Sequence, residues 1–196
     1  MKNIIKKHKI ITAIAVISLT AFITVNIIWY FSIKKDFDRY AETVGLHDTS
    51  GIGDMLYLVQ EGDFEYLVAP PGYLDWSGRL VVSDMSTATF SVDKDGNEHG
   101  TGTHISLYIW ISAFGETEYG LMLYDPDKKA SSYGYSGGDR IKDEINEQVY
   151  VDKDLNFIPY DDGNVNFNQY IEKLLAENKD KCAELMRLAR EKWGLG

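Results

Sequence analysis

The sequence contains very little cysteine and no acidic residue near its start. Cys182 is the only cysteine among 196 residues, which excludes an internal disulfide and leaves core packing as the source of stability. All 30 acidic residues lie at or after Asp36, whereas six of the 20 Lys and Arg residues precede it. Residues 36–196 therefore carry 14 basic and 30 acidic residues, a formal charge of −16. Such a surface repels nucleic acid, so we expect no nucleic-acid partner.

One long uncharged stretch dominates the N-terminal part of the chain. Residues 10–33 read IITAIAVISLTAFITVNIIWYFSI, 24 residues in which Asn26 is the only strongly polar side chain. As a helix the stretch would extend about 36 Å, at about 1.5 Å per residue, which exceeds a hydrocarbon core of about 30 Å. It predicts a transmembrane helix with the lipid bilayer as its partner.

The charges that flank this stretch predict its orientation. Four lysines precede it and two follow it, which favours an N-terminus held in the cytoplasm. A cleaved secretory signal is the alternative, because residues 1–9 form a basic leader, but the apolar run is longer than a typical signal core. We therefore expect a cell-membrane location, with residues 1–9 as a cytoplasmic leader and the C-terminal part outside the cytoplasm.

The rest of the chain divides into a connector and one globular domain. Apolar residues at helical spacing predict that the helix continues as a short stalk to Gly45, and a turn-rich linker follows it. We assign residues 34–54 to this juxtamembrane stalk and linker. Residues 55–196 form the acidic extracytoplasmic domain, which is long enough to bury one core.

Alternation of apolar residues predicts β-strands from residue 55 to about residue 160. MLYLV and FEYLV flank a turn at Gly62 and predict a hairpin. Further strands are predicted at RLVVS, TATFSVD, residues 103–114, YGLMLYD, QVYVD and LNFIPY. Residues 103–114 are apolar on both faces, which is typical of a central strand covered on each side.

The C-terminal part has helical periodicity. Asn166 is the predicted N-cap, an interruption is predicted near residues 178–180, and Gly194 is the predicted end. Together the patterns predict an α+β fold, with an N-terminal transmembrane helix, a meandering antiparallel sheet and a C-terminal helix packed on that sheet.

Residues 134–138 raise the question of catalysis. They read GYSGG and match the G-x-S-x-G pattern of the nucleophile elbow of α/β-hydrolases. The corresponding alternative is a membrane-tethered serine hydrolase, with Ser136 as nucleophile, His99 or His104 as base, and Asp139 orienting the base. However, no buried strand precedes Ser136, and no histidine follows it as the hydrolase order requires. We interpret the segment as a Ser/Gly/Tyr loop and expect no catalytic residue.

Two polar segments have the composition of metal sites. Asp93, Asp95 and Asn97 surround a glycine, and their oxygens would suit calcium in a calcium-stabilised adhesion module. The glycine does not stand where an EF-hand loop requires it, so ordinary turn chemistry explains the segment better. His99 and His104 are five residues apart, which places them on opposite faces of a continuous strand. We therefore expect no metal and no other cofactor.

Aromatic side chains supply the candidate binding residues. Tyr108, Trp110 and Phe114 share one face of the strongest predicted strand, and we expect them to be core beneath the C-terminal helix. Four others stand in predicted loops as the candidate binding surface for a protein or glycan partner: Tyr73, Trp76, Tyr133 and Tyr135. The favoured function is therefore non-catalytic binding by a single-pass protein of the cell envelope.

Overall fold

The computed structural model describes residues 2–45, 56–86, 89–92, 98–101, 105–123, 149–159 and 165–195. Within these residues the fold is α+β, with one long apolar N-terminal helix, a six-stranded antiparallel sheet and two C-terminal helices. The predicted fold class is confirmed to this extent.

The N-terminal helix is continuous from Lys2 to Val44. Helix α1 (Lys2–Trp29) passes through a π-helical turn (Tyr30–Lys34) into helix α2 (Lys35–Val44). No glycine or proline stands before Gly45, so nothing in the sequence breaks the backbone hydrogen-bond ladder until that residue takes a φ of 77°. By length and composition, Ile10–Val44 includes a helix able to cross a membrane.

Eight strands lie in the described residues, six of them in one sheet. They are β1 (Tyr57–Glu61), β2 (Phe64–Ala69), β3 (Ser77–Asp84), β4 (Thr89–Val92), β5 (Glu98–Thr101), β6 (Ile105–Ser112), β7 (Glu118–Met122) and β8 (Val149–Val151). The large sheet has the order β1-β2-β3-β6-β7-β8, and β4 pairs with β5 in a separate hairpin. The predicted β1–β2 hairpin is confirmed: Gly62 has a φ of 62°, which a residue without Cβ adopts easily in a two-residue turn.

The C-terminal helices are α3 (Val165–Glu177) and α4 (Lys179–Trp193). The predicted interruption is confirmed at Asn178, whose side-chain amide donates to the Leu174 carbonyl at 2.8 Å. The predicted end at Gly194 is also confirmed, because this residue is left-handed and donates its N–H to the Arg190 carbonyl. The N-cap prediction is wrong: Asn166 follows the first helical residue, whereas a cap must precede it.

The main core lies between one face of the sheet and the helices α2 and α4. Cross-strand partners share a face, so the register aligns Val68 with Leu80 and Leu80 with Ile109. The fully buried sheet residues of this core are Val68, Leu80, Val82, Leu107, Ile109, Leu121, Val149 and Val151. Helix α4 contributes Cys182, Leu185, Met186, Ala189 and Trp193.

Helix α2 belongs to this core. Phe37 is 0% exposed and packs with Tyr40 and Val44 in the same buried cluster as the sheet. The ring of Phe37 lies over Gly78 of β3, where a Cβ would overlap it. Helical spacing predicts a stalk for these residues, but their side chains lie in the core of the domain.

Two further expectations differ from the structure. LNFIPY does not form a strand in its described part, where Phe157 makes only an isolated bridge to Val151. The carboxylate of Asp152 accepts the N–H groups of Asp154 and Asn156, and this turn leaves too few residues for a ladder.

The second difference concerns the aromatic face of β6, which is a central strand as predicted, between β3 and β7. Helix α4 covers its aliphatic face, so Tyr108 and Trp110 lie on the opposite face and are half-buried. Phe114 follows the strand and is 74% exposed.

Candidate functional site

The predicted site residues divide into a described pair and a set outside the described residues. Tyr73 and Trp76 lie in the loop of residues 70–76 that joins β2 to β3. The residues outside the described segments are Asp93, Asp95, Asn97, His104, Tyr133, Tyr135, Ser136 and Asp139. His99 lies on β5 opposite Ser91. The hydrolase and calcium alternatives therefore remain predictions, and the described residues contain no group of three His, Cys, Asp or Glu suited to a metal ion.

The loop of residues 70–76 is hydrogen-bonded to the end of α1. The hydroxyl of Tyr73 donates to Oδ1 of Asn26 at 2.8 Å, and the indole Nε1 of Trp29 donates to the Asp75 carbonyl at 2.6 Å. The rings of Trp29 and Tyr73 meet edge to face with centroids 5.6 Å apart. These contacts hold the loop against the last two turns of α1.

Asn26 has partners on both ends of its side-chain amide. Its Nδ2 donates to the Phe22 carbonyl at 2.8 Å, while its Oδ1 accepts from Tyr73. The hydroxyls of Thr20 and Thr24 also donate to carbonyls four residues earlier. Such bonds satisfy these polar groups within the helix itself. The sequence marked Asn26 as an exception in the apolar stretch, but it did not indicate that this residue contacts the domain.

Local backbone geometry positions the loop. Pro70 and Pro71 follow β2 and cannot donate to a neighbouring strand, so the ladder stops there. The Asp75 N–H then donates to the Gly72 carbonyl at 3.0 Å, which closes a turn. The Asp75 carboxylate accepts the N–H of Ser77 at 3.2 Å, an Asx turn that leads into β3. The Asp75 carbonyl is thereby held in place for Trp29.

A further aromatic pair extends this arrangement. The rings of Trp76 and Phe114 have centroids 4.9 Å apart, and the Ala113 N–H donates to the Trp76 carbonyl at 2.9 Å. We call Trp29, Tyr73, Trp76 and Phe114 the aromatic collar. Tyr73 is 64% exposed and Phe114 is 74% exposed, so much of the collar is open on the outside. Phe114 was not among the predicted binding residues.

A second aromatic group lies on the face of the sheet opposite α4. The rings of Tyr108 and Trp110 are nearly parallel, at 11°, with centroids 5.7 Å apart. Trp110 also approaches Tyr150 at 6.3 Å, and the Arg79 guanidinium lies 5.8 Å from the Tyr108 ring. Gly120 pairs with both tyrosines in the register and places no side chain between them. We call Arg79, Tyr108, Trp110 and Tyr150 the sheet patch.

Two carboxyl groups of the domain have shifted pKa values. Burial raises the pKa of the Glu65 carboxyl, which lies on β2 on the same side as the sheet patch. Burial would also raise the pKa of Asp84, but hydrogen bonds from Ser86 and the ion pair with Lys181 outweigh it, and the net pKa is lowered. The Lys181 ammonium lies 2.9 Å from the Asp84 carboxylate and thereby connects α4 to the end of β3.

A cleft of about 350 Å³ lies between α4 and the turn after β8. It includes Arg187 and Arg190, but both guanidinium groups are bonded within the chain. Arg187 donates to Glu184 at 2.6 Å and to Glu191 at 2.5 Å, and Arg190 donates to the Lys153 carbonyl at 3.0 Å. These bonds explain the arginines as structural, so the aromatic collar and the sheet patch are the stronger candidate surfaces.

Comparison of the chain with known protein families, with curated proteins and with solved structures finds no match.

Proposed function

We propose that this chain is a single-pass membrane protein whose acidic domain lies outside the cytoplasm and acts by binding a protein partner. The observation that carries the proposal is the continuity of one helix. Its apolar side chains from Ile10 to Phe31 are exposed except for the half-buried Trp29, whereas Ile33 and Phe37 are 2% and 0% exposed in the core of the domain. An exposed apolar surface of this length is unfavourable in water and is covered by lipid in a membrane. The helix serves as anchor and core element at once.

The orientation follows from charge. Four lysines precede the apolar stretch and two follow it, and the N-terminal side with more lysines stays in the cytoplasm. The domain on the other side carries the formal charge of −16 counted over residues 36–196. This charge keeps the domain soluble and favours a basic partner.

The sheet patch is the surface that we propose for the partner. Tryptophan, tyrosine and arginine are the residue types that most often dominate the binding energy of protein interfaces. Here Trp110 is half-buried and stacks on Tyr108, while Tyr150 is 39% exposed. Arg79 is exposed and adds a cation beside the rings. A rigid aromatic platform with a single cation suits a protein segment better than a phosphate or nucleic acid.

Membrane topology is tested in cells that express the full chain with a C-terminal tag. We expect the protein to stay in the membrane fraction during alkaline carbonate extraction. The outer layers of the cell envelope are made permeable while the cytoplasmic membrane stays intact. Protease added to these cells is expected to remove the tag. Release into the carbonate supernatant, or a tag that becomes accessible only after lysis, would contradict the proposal.

Binding is tested by placing a photo-crosslinking amino acid at Tyr150 in the full chain. A matched control carries the same group at Glu172, an exposed position on α3. We expect a discrete protein adduct from position 150 that is absent from position 172 and is lost in the Arg79→Ala, Trp110→Ala background. Equal adducts at both positions, or an adduct that these substitutions leave unchanged, would refute the sheet patch as the binding surface.

A further inference from the structure

We infer that the aromatic collar is a second membrane contact, which inserts Tyr73, Trp76 and Phe114 into the boundary between lipid headgroups and acyl chains. This inference rests on the proposed membrane anchor and adds to it an assignment of depth and orientation. The collar would set the domain directly on the bilayer surface, with no spacer between the two.

The collar meets the helix before the end of the apolar stretch. The Tyr73 hydroxyl bonds to Asn26, which lies seven residues before Ile33, or about 10 Å at 1.5 Å per residue. If all of residues 10–33 lay in hydrocarbon, the loop of residues 70–76 would be pulled about 10 Å into it. Twenty residues cross about 30 Å of hydrocarbon, and counted from Ile10 they end at Trp29. The outer boundary therefore falls at the collar.

Beyond Trp29 the aromatic side chains of Tyr30 and Phe31 are still exposed, but Ile33 is buried. Ile33 is only 2% exposed because it packs into the domain core, so it has no surface to offer to lipid. Lys34 pairs with Asp38, and Lys35 lies 5.8 Å from the Phe31 ring. Charged groups one turn above an aromatic residue are typical of the interface and not of the hydrocarbon.

The residue types of the collar also favour contact with lipid. Tryptophan and tyrosine are enriched at membrane interfaces, because an apolar ring faces the acyl chains while a polar group finds a partner. In the collar two of these polar groups have protein partners: Trp29 donates to the Asp75 carbonyl and Tyr73 donates to Asn26. The Phe114 ring adds an apolar surface at 74% exposure.

These observations indicate that the collar contacts the lipid bilayer. The collar is continuous with the exposed apolar side of α1, which the same bilayer covers. A second protein copy on the collar would have to share this level with the lipid that surrounds α1. We therefore treat protein contact as an outcome that the experiment must separate from lipid contact.

The test uses the full chain reconstituted into phosphatidylcholine vesicles, with single cysteines that carry an environment-sensitive fluorophore. Cys182 is buried and burial raises the pKa of its thiol to about 12, so it does not compete for the label. The labelled variants are Phe114→Cys in the collar, Ser18→Cys in the apolar stretch and Asp63→Cys in the β1–β2 turn. Asp63 is exposed and lies at the opposite end of β2 from the loop of residues 70–76.

We expect the fluorescence emission of the label at position 114 to shift to shorter wavelength on reconstitution. A lipid nitroxide near the headgroup should quench this label more than a nitroxide deep in the acyl chain. The label at position 18 should show the reverse depth order, and the label at position 63 should respond only to aqueous iodide. If position 18 is lipid-quenched while position 114 responds to iodide alone, the collar inference fails and the anchor stands. If position 18 responds to iodide, the anchor itself fails.

A label at position 114 that is shielded from both iodide and lipid nitroxides would place a protein there and overturn the inference. A second label, at Gly72→Cys, tests whether the label at position 114 has itself disturbed the structure around it. A Cβ on Gly72 meets only the Asp75 Cβ, at 4.0 Å, so this variant is expected to keep the loop intact. The inference requires the same depth order of nitroxide quenching for the labels at positions 72 and 114.

Discussion

The ring of Phe37 occupies the space that a side chain at Gly78 would need. The atoms nearest to a Cβ at this position all belong to that ring, which is itself fully buried between α2 and the sheet. We predict that Gly78→Ala lowers the free energy of unfolding by about 1–3 kcal/mol, the usual cost of overpacking a tight core. Thermal or denaturant unfolding of the full chain in detergent measures it.

Gly72→Ala is the matched control for this substitution. Its Cβ would meet no atom closer than 4.0 Å, so we expect its stability to stay close to that of the parent chain. Equal stability of Gly78→Ala and the parent would show that α2 does not pack on β3 as described.

At Gly62 the backbone conformation disfavours a side chain, although there is space for one. Its φ is 62°, and no atom lies within 4 Å of a Cβ built on it. We predict that Gly62→Ala costs about 1–2 kcal/mol, because an L-residue in the left-handed region brings its Cβ close to the backbone. Gly62→Asn should lose less, since asparagine tolerates this region. Identical losses for the two variants in the same unfolding assay would contradict the assignment.

The lowered pKa of Asp84 makes part of the stability depend on pH. A carboxyl whose folded pKa lies below its unfolded value, near 3.8, stabilises the fold above that value. The contribution disappears as pH falls through the folded pKa. We predict that Asp84→Asn reduces the acid-induced loss of unfolding free energy below about pH 4. Lys181→Met should reduce it in the same direction, because it removes the ion pair. An unchanged acid profile in both variants would show that this pair is not responsible.

Among the elements, the loop of residues 70–76 contacts α1 through Trp29 and through the hydrogen bond between Tyr73 and Asn26. We predict that Tyr73→Phe and Asn26→Leu are not additive, because each removes the same hydrogen bond. A double-mutant cycle on unfolding in detergent should give a coupling of about 1 kcal/mol, typical of a neutral hydrogen bond. Additive effects would mean that Tyr73 and Asn26 do not interact in the folded chain.

The elements also show where local patterns predict structure well. The β1–β2 hairpin follows from alternation and a glycine turn, both of which lie within a few neighbouring residues. LNFIPY has a similar composition, but the Asp152 carboxylate bends the chain before a ladder can form. The Asn166 cap failed for a related reason, since a helix start depends on the residues before it as well as on one good capping residue.

For the whole molecule, the boundary of the folding unit depends on α2. A chain that begins at residue 46 lacks Ile33, Phe37, Tyr40 and Val44, all of which are buried in the core. Each buried apolar side chain of this size contributes about 1.5–3 kcal/mol, so the four together are comparable with a typical domain stability of about 5–15 kcal/mol.

We therefore predict that residues 46–196 do not unfold cooperatively, whereas residues 29–196 do. Circular dichroism during thermal unfolding distinguishes the two. Residues 29–196 are the matched comparison, because they restore α2 and Ile33 and leave out residues 10–28 of the apolar stretch. A cooperative transition for residues 46–196 would place α2 outside the folding unit.

The sequence by itself determined the long apolar helix, the antiparallel α+β class and most strands of the sheet, because each depends on periodicity within a short window of residues. Only the tertiary structure decided that α2 packs in the core, that α4 covers the aliphatic face of β6, and that Asn26 receives a hydrogen bond from Tyr73. These features join residues far apart in the chain, 47 positions apart in the last case, and side-chain pattern alone does not specify such partners. The collar and the sheet patch exist for the same reason: folding brings together aromatic residues that the sequence keeps separate.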